Sequence, residues 1–216
     1  MTPAQPSGAL EALAQRYPAL APCLLDLERA FELLRESYAQ GKNVLVCGNG
    51  GSAADGEHLV GELMKGFLSK RPIPDEVRRK LRAVAPDGDD YLADHLQGAL
   101  PTLSLASQLA LLTAYANDVA ADMGFAQQVY GYGLPGDALI GISTSGNSAN
   151  VVHALQVARA LGLGTVGFTG RGGGRMAPFC DVLVAVPSEK TAEIQERQLP
   201  LYHALCAMLE EHFFPS

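Results

Sequence analysis

Short aliphatic runs that stop abruptly at glycine or a hydroxyl-bearing residue set the rhythm of this chain. They are Val44-Leu45-Val46-Cys47, Pro101-Thr102-Leu103-Ser104-Leu105, Ala138-Leu139-Ile140-Gly141-Ile142, Thr165-Val166-Gly167-Phe168 and Val182-Leu183-Val184-Ala185-Val186. Each has the length and β-branched content of a buried strand. Between them the apolar positions switch to helical spacing. Leu24, Leu27, Ala30, Phe31, Leu34 and Tyr38 predict a long amphipathic helix from Pro22 to Gln40. Leu59, Val60, Leu63 and Met64 predict one running to Phe67. Val151, Val152, Leu155, Ala158 and Leu161 predict one over 149–161. Further helices are expected over 9–17, 107–117, 121–132 and 192–212, and residues 1–8 read as a tail. Strands that alternate with helices and are apolar throughout imply a parallel sheet covered on both faces: an α/β, three-layer sandwich with five strands.

Residues 70–99 break the rhythm. Lys70, Arg71, Asp75, Glu76, Arg78, Arg79, Lys80, Arg82, Asp87, Asp89, Asp90 and Asp94 crowd a stretch with few aliphatics. Pro74-Asp75 and Pro86-Asp87 each resemble a helix start, so two short exposed helices are expected as an insertion in a single domain spanning 1–216. A solvated face is the ordinary reading of such charge, and a lid or subunit contact the sharper one.

Charge and cysteine usage narrow the function. The net charge of −7, with no strongly basic stretch, argues against a nucleic-acid partner. It leaves phosphorylated ligands open, because backbone N–H groups and hydroxyls bind phosphate without net positive charge. Cys23, Cys47, Cys180 and Cys206 are scattered among apolar neighbours with no CxxC pair, the pattern of reduced, buried thiols. With no signal peptide and no apolar run of membrane-spanning length, a cytoplasmic protein without a membrane partner is expected.

In parallel sheets ligands bind beyond the carboxyl ends of the strands, which selects the loops 48–52, 143–148 and 169–174. The first, Gly48-Asn49-Gly50-Gly51-Ser52, lets the backbone turn tightly toward a ligand, with Ser52 placed to cap the following helix or to face an anion. By itself it is also an ordinary strand–helix turn. The second is more telling. Ser143, Thr144, Ser145 and Ser148 offer four hydroxyls in six residues at a helix N-terminus, where one cap needs only one. A phosphate monoester fits that chemistry.

These two loops together resemble the SIS (sugar isomerase) domain family, and within it the phosphoheptose isomerase group, over residues 20–212. The resemblance implies a flavodoxin-like five-stranded parallel sheet and a homotetramer with sites between subunits. It implies a phosphorylated sugar substrate, sedoheptulose 7-phosphate, interconverted with D-glycero-D-manno-heptose 7-phosphate. Substrate contacts are implied at Asn49, Gly50, Gly51, Ser52, Asn117, Asp118, Ser143, Thr144, Ser145, Ser148 and Gln195. His58 and Glu62, four apart on one helix face, match the family's His/Glu pair, and Gln195 and His203 match its Gln/His pair. The resemblance makes Glu62 and His203 the acid–base residues and His58, Glu62, Gln195 and His203 a zinc site. A Glu62 bound to metal is less free as a base, and the residues alone leave both roles open. Isomerases of other ketose phosphates and non-catalytic phosphosugar regulators share the fold. The chain departs from the family pattern in the long 70–99 insertion, in Gln198 where a further His is common, and in Pro200, which is expected to interrupt the last helix. Ser104 and Ser107 are weaker contact candidates, His153 reads as structural, and His95 and His212 as surface residues.

Overall fold

The computed structural model describes residues 8–85 and 88–215. The aliphatic runs become β1 (Val44–Gly48), β2 (Thr102–Ser104), β3 (Ala138–Ile142), β4 (Gly164–Thr169) and β5 (Val182–Ala185), paired in parallel in the order β2-β1-β3-β4-β5. This is a doubly wound order, and its switch point lies between β1 and β3. Val44 pairs with Ala138 and Gly48 with Ile142, so the loops after these two strands leave the sheet level with one another.

Alternation along the strands supplies the two faces. Val44, Val46, Ile140, Val166 and Val184 point into one apolar layer, with Leu27, Leu34, Leu59 and Leu205. Leu45, Cys47 and Leu139 point into the other, with Phe125, Val129, Val151 and Leu155. The helices of the first layer are α1 (Gly8–Arg16), α2 (Leu24–Ala39), α3 (Gly51–Met64) and α9 (Thr191–Phe213); those of the second are α7 (Gly124–Tyr132) and α8 (Ala149–Ala160). Helix α6 (Leu109–Asp118) buries none of its residues in this chain.

Several expectations shift in detail. A 3-10 turn over Pro18–Cys23 delays α2 to Leu24. Helix α9 runs through Pro200 without a break, as buried Leu201, Tyr202, Ala204 and Leu205 fasten the turn beyond it. The charged insertion forms α4 (Asp75–Val84), with no buried residue, and α5 (Tyr91–His95). Arg78 pairs with Asp94, and Arg82 with Asp90, across the two. The expected start at Pro86-Asp87 and the tail residues 1–7 lie outside the described residues. Cys23, Cys47 and Cys206 are buried, Cys180 is half-buried, and all four thiols are free. Burial pushes the Cys47 thiol up to about 12.

Arg71 contradicts the reading of its stretch as a solvated face: it is 1% exposed. Its Nε donates to Glu210 Oε1 of α9 at 2.7 Å. Its two terminal nitrogens donate to Leu63 O (2.7 Å) and Glu62 O (3.0 Å), carbonyls that the end of α3 leaves without helical partners. The guanidinium also stacks on Phe214. Glu210 in turn accepts the backbone N–H groups of Phe67, Leu68 and Ser69. Helix α3 therefore stops at Met64, short of Phe67, because the following backbone donors are taken by a carboxylate on another helix.

Burial pushes the Glu210 carboxyl up, but the Phe67 and Leu68 N–H groups and Arg71 outweigh it and hold the group below its ordinary 4.5. A depressed folded value means that the contribution is complete above the unfolded carboxylate range and fades as pH falls through the folded value. Glu210→Gln strands a buried guanidinium, and the expected loss is about 3–5 kcal/mol. Thermal melts at pH 7 read that loss. Melts repeated from pH 5 downward should show a shallower acid dependence in the variant than in the wild type.

Candidate active site

Two helices meet at the carboxyl edge of the sheet and bring the predicted pairs together. Helix α3 begins directly after β1 because Gly50, at φ 54°, turns the chain as other residues rarely can. Gly50 is the N-cap, so the reading of Ser52 as a cap is not met. Ser52 lies inside the first turn, 4% exposed, and the N-cap makes no side-chain capping bond. His58 and Glu62 follow on one face, and His58 Nε2 stands 3.2 Å from Glu62 Oε1. From α9, His203 places its Nε2 3.3 Å from His58 Nε2, the two rings edge to face. Gln195, two turns earlier, lies over the first turn of α3, where a Cβ on Gly51 would collide with its amide. His58, Glu62 and His203 thus meet at one place, while Gln195 lies over Gly51 at the start of α3 with no bond to the other three.

The surroundings tune them. Lys65 Nζ donates to Glu62 Oε2 at 2.9 Å, which leaves Oε1 facing the imidazoles. Burial, and after it the neighbouring His58, pushes the His203 imidazole below its ordinary 6.5. His203 borders a cavity of about 250 Å³ shared with Arg16, Tyr17, Phe67 and Pro200. On the core side of His58, the Tyr202 hydroxyl sits 3.1 Å from Nδ1 and 3.3 Å from Asp55 Oδ1. Burial pushes the Asp55 carboxyl up.

Two imidazoles and a carboxylate are donors that zinc takes, and a Gln amide is a weak and unusual fourth. Donor atoms about 2.1 Å from a tetrahedral zinc stand about 3.4 Å apart. The His58–Glu62 and His58–His203 separations of 3.2 and 3.3 Å match two edges of such a site. Among the described residues, however, no group of three or more His, Cys, Asp and Glu side chains is arranged to hold a metal ion.

The hydroxyl loop lies across the switch point from β1. Ser143 Oγ and Ser148 Oγ are 3.0 Å apart, and the Ser145 hydroxyl accepts the Asn147 N–H. Ser148 is the N-cap of α8 but makes no side-chain capping bond. Gly146, at φ 66°, packs so closely on Gly173 that any side chain there would collide. Gly170 N donates to Thr144 O, and Met176 N to Gly146 O, so the third loop braces the second. The first and second loops are tied by a pair of amides: Asn49 Nδ2 donates to Asn150 Oδ1 (2.9 Å) and Asn150 Nδ2 to Asn49 Oδ1 (2.8 Å). Asn150 Oδ1 also accepts the Val151 N–H, which fixes which end of that amide is oxygen and hence how Asn49 is turned.

Asn117 and Asp118 end α6, are exposed, and bond to each other at 2.8 Å; no contact joins them to the histidines. Ser107 donates to Glu57 on α3. His153 contacts Asp122 O, His95 is exposed, and His212 sits between Phe31 and Phe213. Gln198 is 1% exposed, and neither amide atom has a hydrogen-bond partner.

The sequence reading missed Asp55, Lys65, Asn150 and Tyr202. Asp55 carries a signal, since it lies three residues before His58 on the same helix face. Tyr202 carries none, because its partners are 147 and 144 residues away.

The SIS domain family matches residues 22–86 and 92–170. A phosphoheptose isomerase of Desulfovibrio desulfuricans is 43% identical over 178 residues, 82% of this chain and 72% of that protein. One of Akkermansia muciniphila is 35% identical over 202 residues, 94% of this chain and 93% of that protein. The solved phosphoheptose isomerase of Neisseria gonorrhoeae superposes with a TM-score of 0.73 at 32% identity, covering 93% of this chain and 94% of that one.

If the amide pair sets the face that Asn49 shows to a ligand, Asn150→Ala frees it at the cost of about one hydrogen bond, roughly 1 kcal/mol. Steady-state kinetics with a phosphosugar substrate should show KM raised about five- to tenfold with kcat little changed, the signature of lost uniform binding.

Proposed function

This chain belongs to the phosphoheptose isomerases of the SIS domain family, and from that premise we propose how its own residues interconvert sedoheptulose 7-phosphate and D-glycero-D-manno-heptose 7-phosphate. The phosphate is held by the hydroxyls of Ser143, Thr144, Ser145 and Ser148 and the N-terminus of α8. Asn49, Gly50, Gly51, Ser52 and Gln195 line the sugar, with Asn117 and Asp118 as further contacts. Ketose–aldose conversion moves a proton between adjacent carbons through an enediol. It needs one group to carry that proton and another to exchange protons with the hydroxyl and carbonyl oxygens. Glu62 takes the first role and His203 the second. The depressed pKa of His203 keeps it neutral, and so able to accept a proton, at neutral pH. The observation that carries the assignment is the convergence of Glu62, His58 and His203 from two helices.

Zinc, held by His58, Glu62, Gln195 and His203, would polarise the carbonyl and take up negative charge from the enediolate. Zinc content measured alongside turnover, before and after chelation, separates a metal-bound Glu62 from a free base. Glu62→Gln should lower kcat by about 10²–10⁴-fold, with deuterium uptake from D₂O at the reacting carbon lost in step. A wild type without turnover, with or without zinc, or a variant with full activity, overturns the assignment.

The assembly we propose is a homotetramer with sites between subunits. The apolar stripe of α2 is largely covered within the chain by α9, β4 and β5. Uncovered apolar surface lies instead on and beside α6, where Leu109 is 72% exposed and Val119 65%. Light scattering should give four copies, and Leu109→Glu a smaller species. The product has the form needed by enzymes that activate phosphorylated heptoses, and a cytoplasmic setting fits that role. No helix among the described residues is long and apolar enough to cross a membrane.

A further inference from the structure

The charged insertion touches the candidate site at one point that the proposed chemistry has not used. Its two ends close on each other: Pro72 and Gln97 form an antiparallel bridge, and Gly98 N donates to Arg71 O at 2.7 Å. That closure carries the Gln97 side chain to the turn after α3, where its Oε1 accepts the Gly66 N–H at 2.6 Å. Gly66 permits the approach, since a Cβ there would collide with Ser69 O and crowd the Gln97 amide. The residue before it, Lys65, is the C-cap of α3, and its extended backbone, φ −141° and ψ 175°, takes the chain out of the helix. From that place Nζ donates to two acceptors, Glu62 Oε2 at 2.9 Å and Gly66 O at 3.2 Å. Glu62 is held at its other end as well, because Arg71 donates to its backbone carbonyl at 3.0 Å.

We propose that Lys65 is a positioning residue for Glu62, and that the 70–99 insertion, through Gln97, fixes the turn from which Lys65 acts. The last torsion of a Glu side chain is soft, so an unheld carboxylate presents either oxygen. An ammonium shared between Oε2 and Gly66 O removes that freedom and leaves Oε1 as the oxygen turned to the imidazoles. The pair is too open to matter for stability: the Lys65 side chain is 58% exposed, and such pairs contribute about 1 kcal/mol or less. Its effect is on orientation, which proton transfer between a side chain and a carbon requires. The ammonium keeps its aim only if the Gly66 carbonyl stays in place, and Gln97 holds the N–H of that same residue. The insertion therefore acts on the site through the backbone that leaves α3, as a buttress and not as a lid.

The kinetic consequence rests on the proposed role of Glu62, and the structural one does not. Lys65→Met keeps the stem and removes the charge. In the full-length protein kcat should fall about five- to tenfold, with KM within about twofold and the melting temperature nearly unchanged. Because Lys65 acts through Glu62, the variant carrying both Lys65→Met and Glu62→Gln should be no slower than Glu62→Gln alone. Gln97→Leu should speed hydrogen exchange at the Gly66 amide, read by mass spectrometry, and lower kcat about threefold. A Lys65→Met protein with wild-type kcat, or a further loss in the double variant, overturns the positioning role. A Gln97→Leu protein with unchanged exchange at Gly66, or with unchanged kcat, overturns the part given to the insertion. If Glu62→Gln keeps full activity, it is the assignment of the base that has failed. A crystal structure of Lys65→Met then decides the inference: a Glu62 carboxylate in its present orientation overturns it, and one turned away sustains it.

Discussion

The buried contact between Arg71 and Glu210 is the constraint on which the site depends. The site is split between α3, which carries His58 and Glu62, and α9, which carries Gln195 and His203, and it works only if those helices keep a fixed separation. Arg71 grips the last carbonyls of α3, including that of Glu62 itself, while its own partner Glu210 belongs to α9. Glu210 also gathers three backbone donors from the chain leaving α3. A charge pair alone is a weak source of stability when desolvated. This one has hydrogen bonds on both sides, the condition under which burial is tolerated and removal of either member is costly. It sits at the far end of both helices from the hydroxyl loop, so it sets geometry without occupying the space of the proposed chemistry.

The other half of the site depends on strand order. Because β1 and β3 are neighbours and their connections leave in opposite directions, the Gly-rich loop and the hydroxyl loop face one crevice. The Asn49–Asn150 amide pair closes that crevice at its rim, and the 170–174 turn backs the hydroxyl loop. The rigidity of the proposed phosphate end thus comes from backbone and amides, which suits a chain of net negative charge. The groups proposed for acid–base work sit apart on helices, where burial shifts pKa values, as it does that of His203.

Residues whose placement follows from local pattern were legible early. His58 and Glu62 are four apart, so any helix places them together; the Ser143–Ser148 loop follows a strand and precedes a helix in any α/β reading. Residues whose function depends on a distant partner were not. Arg71 looked like one more charge in a hydrophilic stretch until Glu210 was found against it. Ser52 looked like a cap until the positive φ of Gly50 moved the start of α3 back by two residues. Pro200 looked like a break, because local rules price a missing N–H but not the tertiary burial of the turn that follows.

The sequence by itself determined the alternation of strand and helix and the parallel sheet, and it marked out the two polar loops and the His58/Glu62 spacing on which the proposed site is built. Each is written in spacing over a few residues, where periodicity and turn chemistry act. Only the tertiary structure decided the strand order that makes two loops into one crevice, the approach of His203 to His58 across 145 residues of chain, the burial of Arg71 and the place of Tyr202 beneath the site. Those depend on which surfaces pack against which, and a contact between distant residues leaves no periodic trace in the chain that forms it.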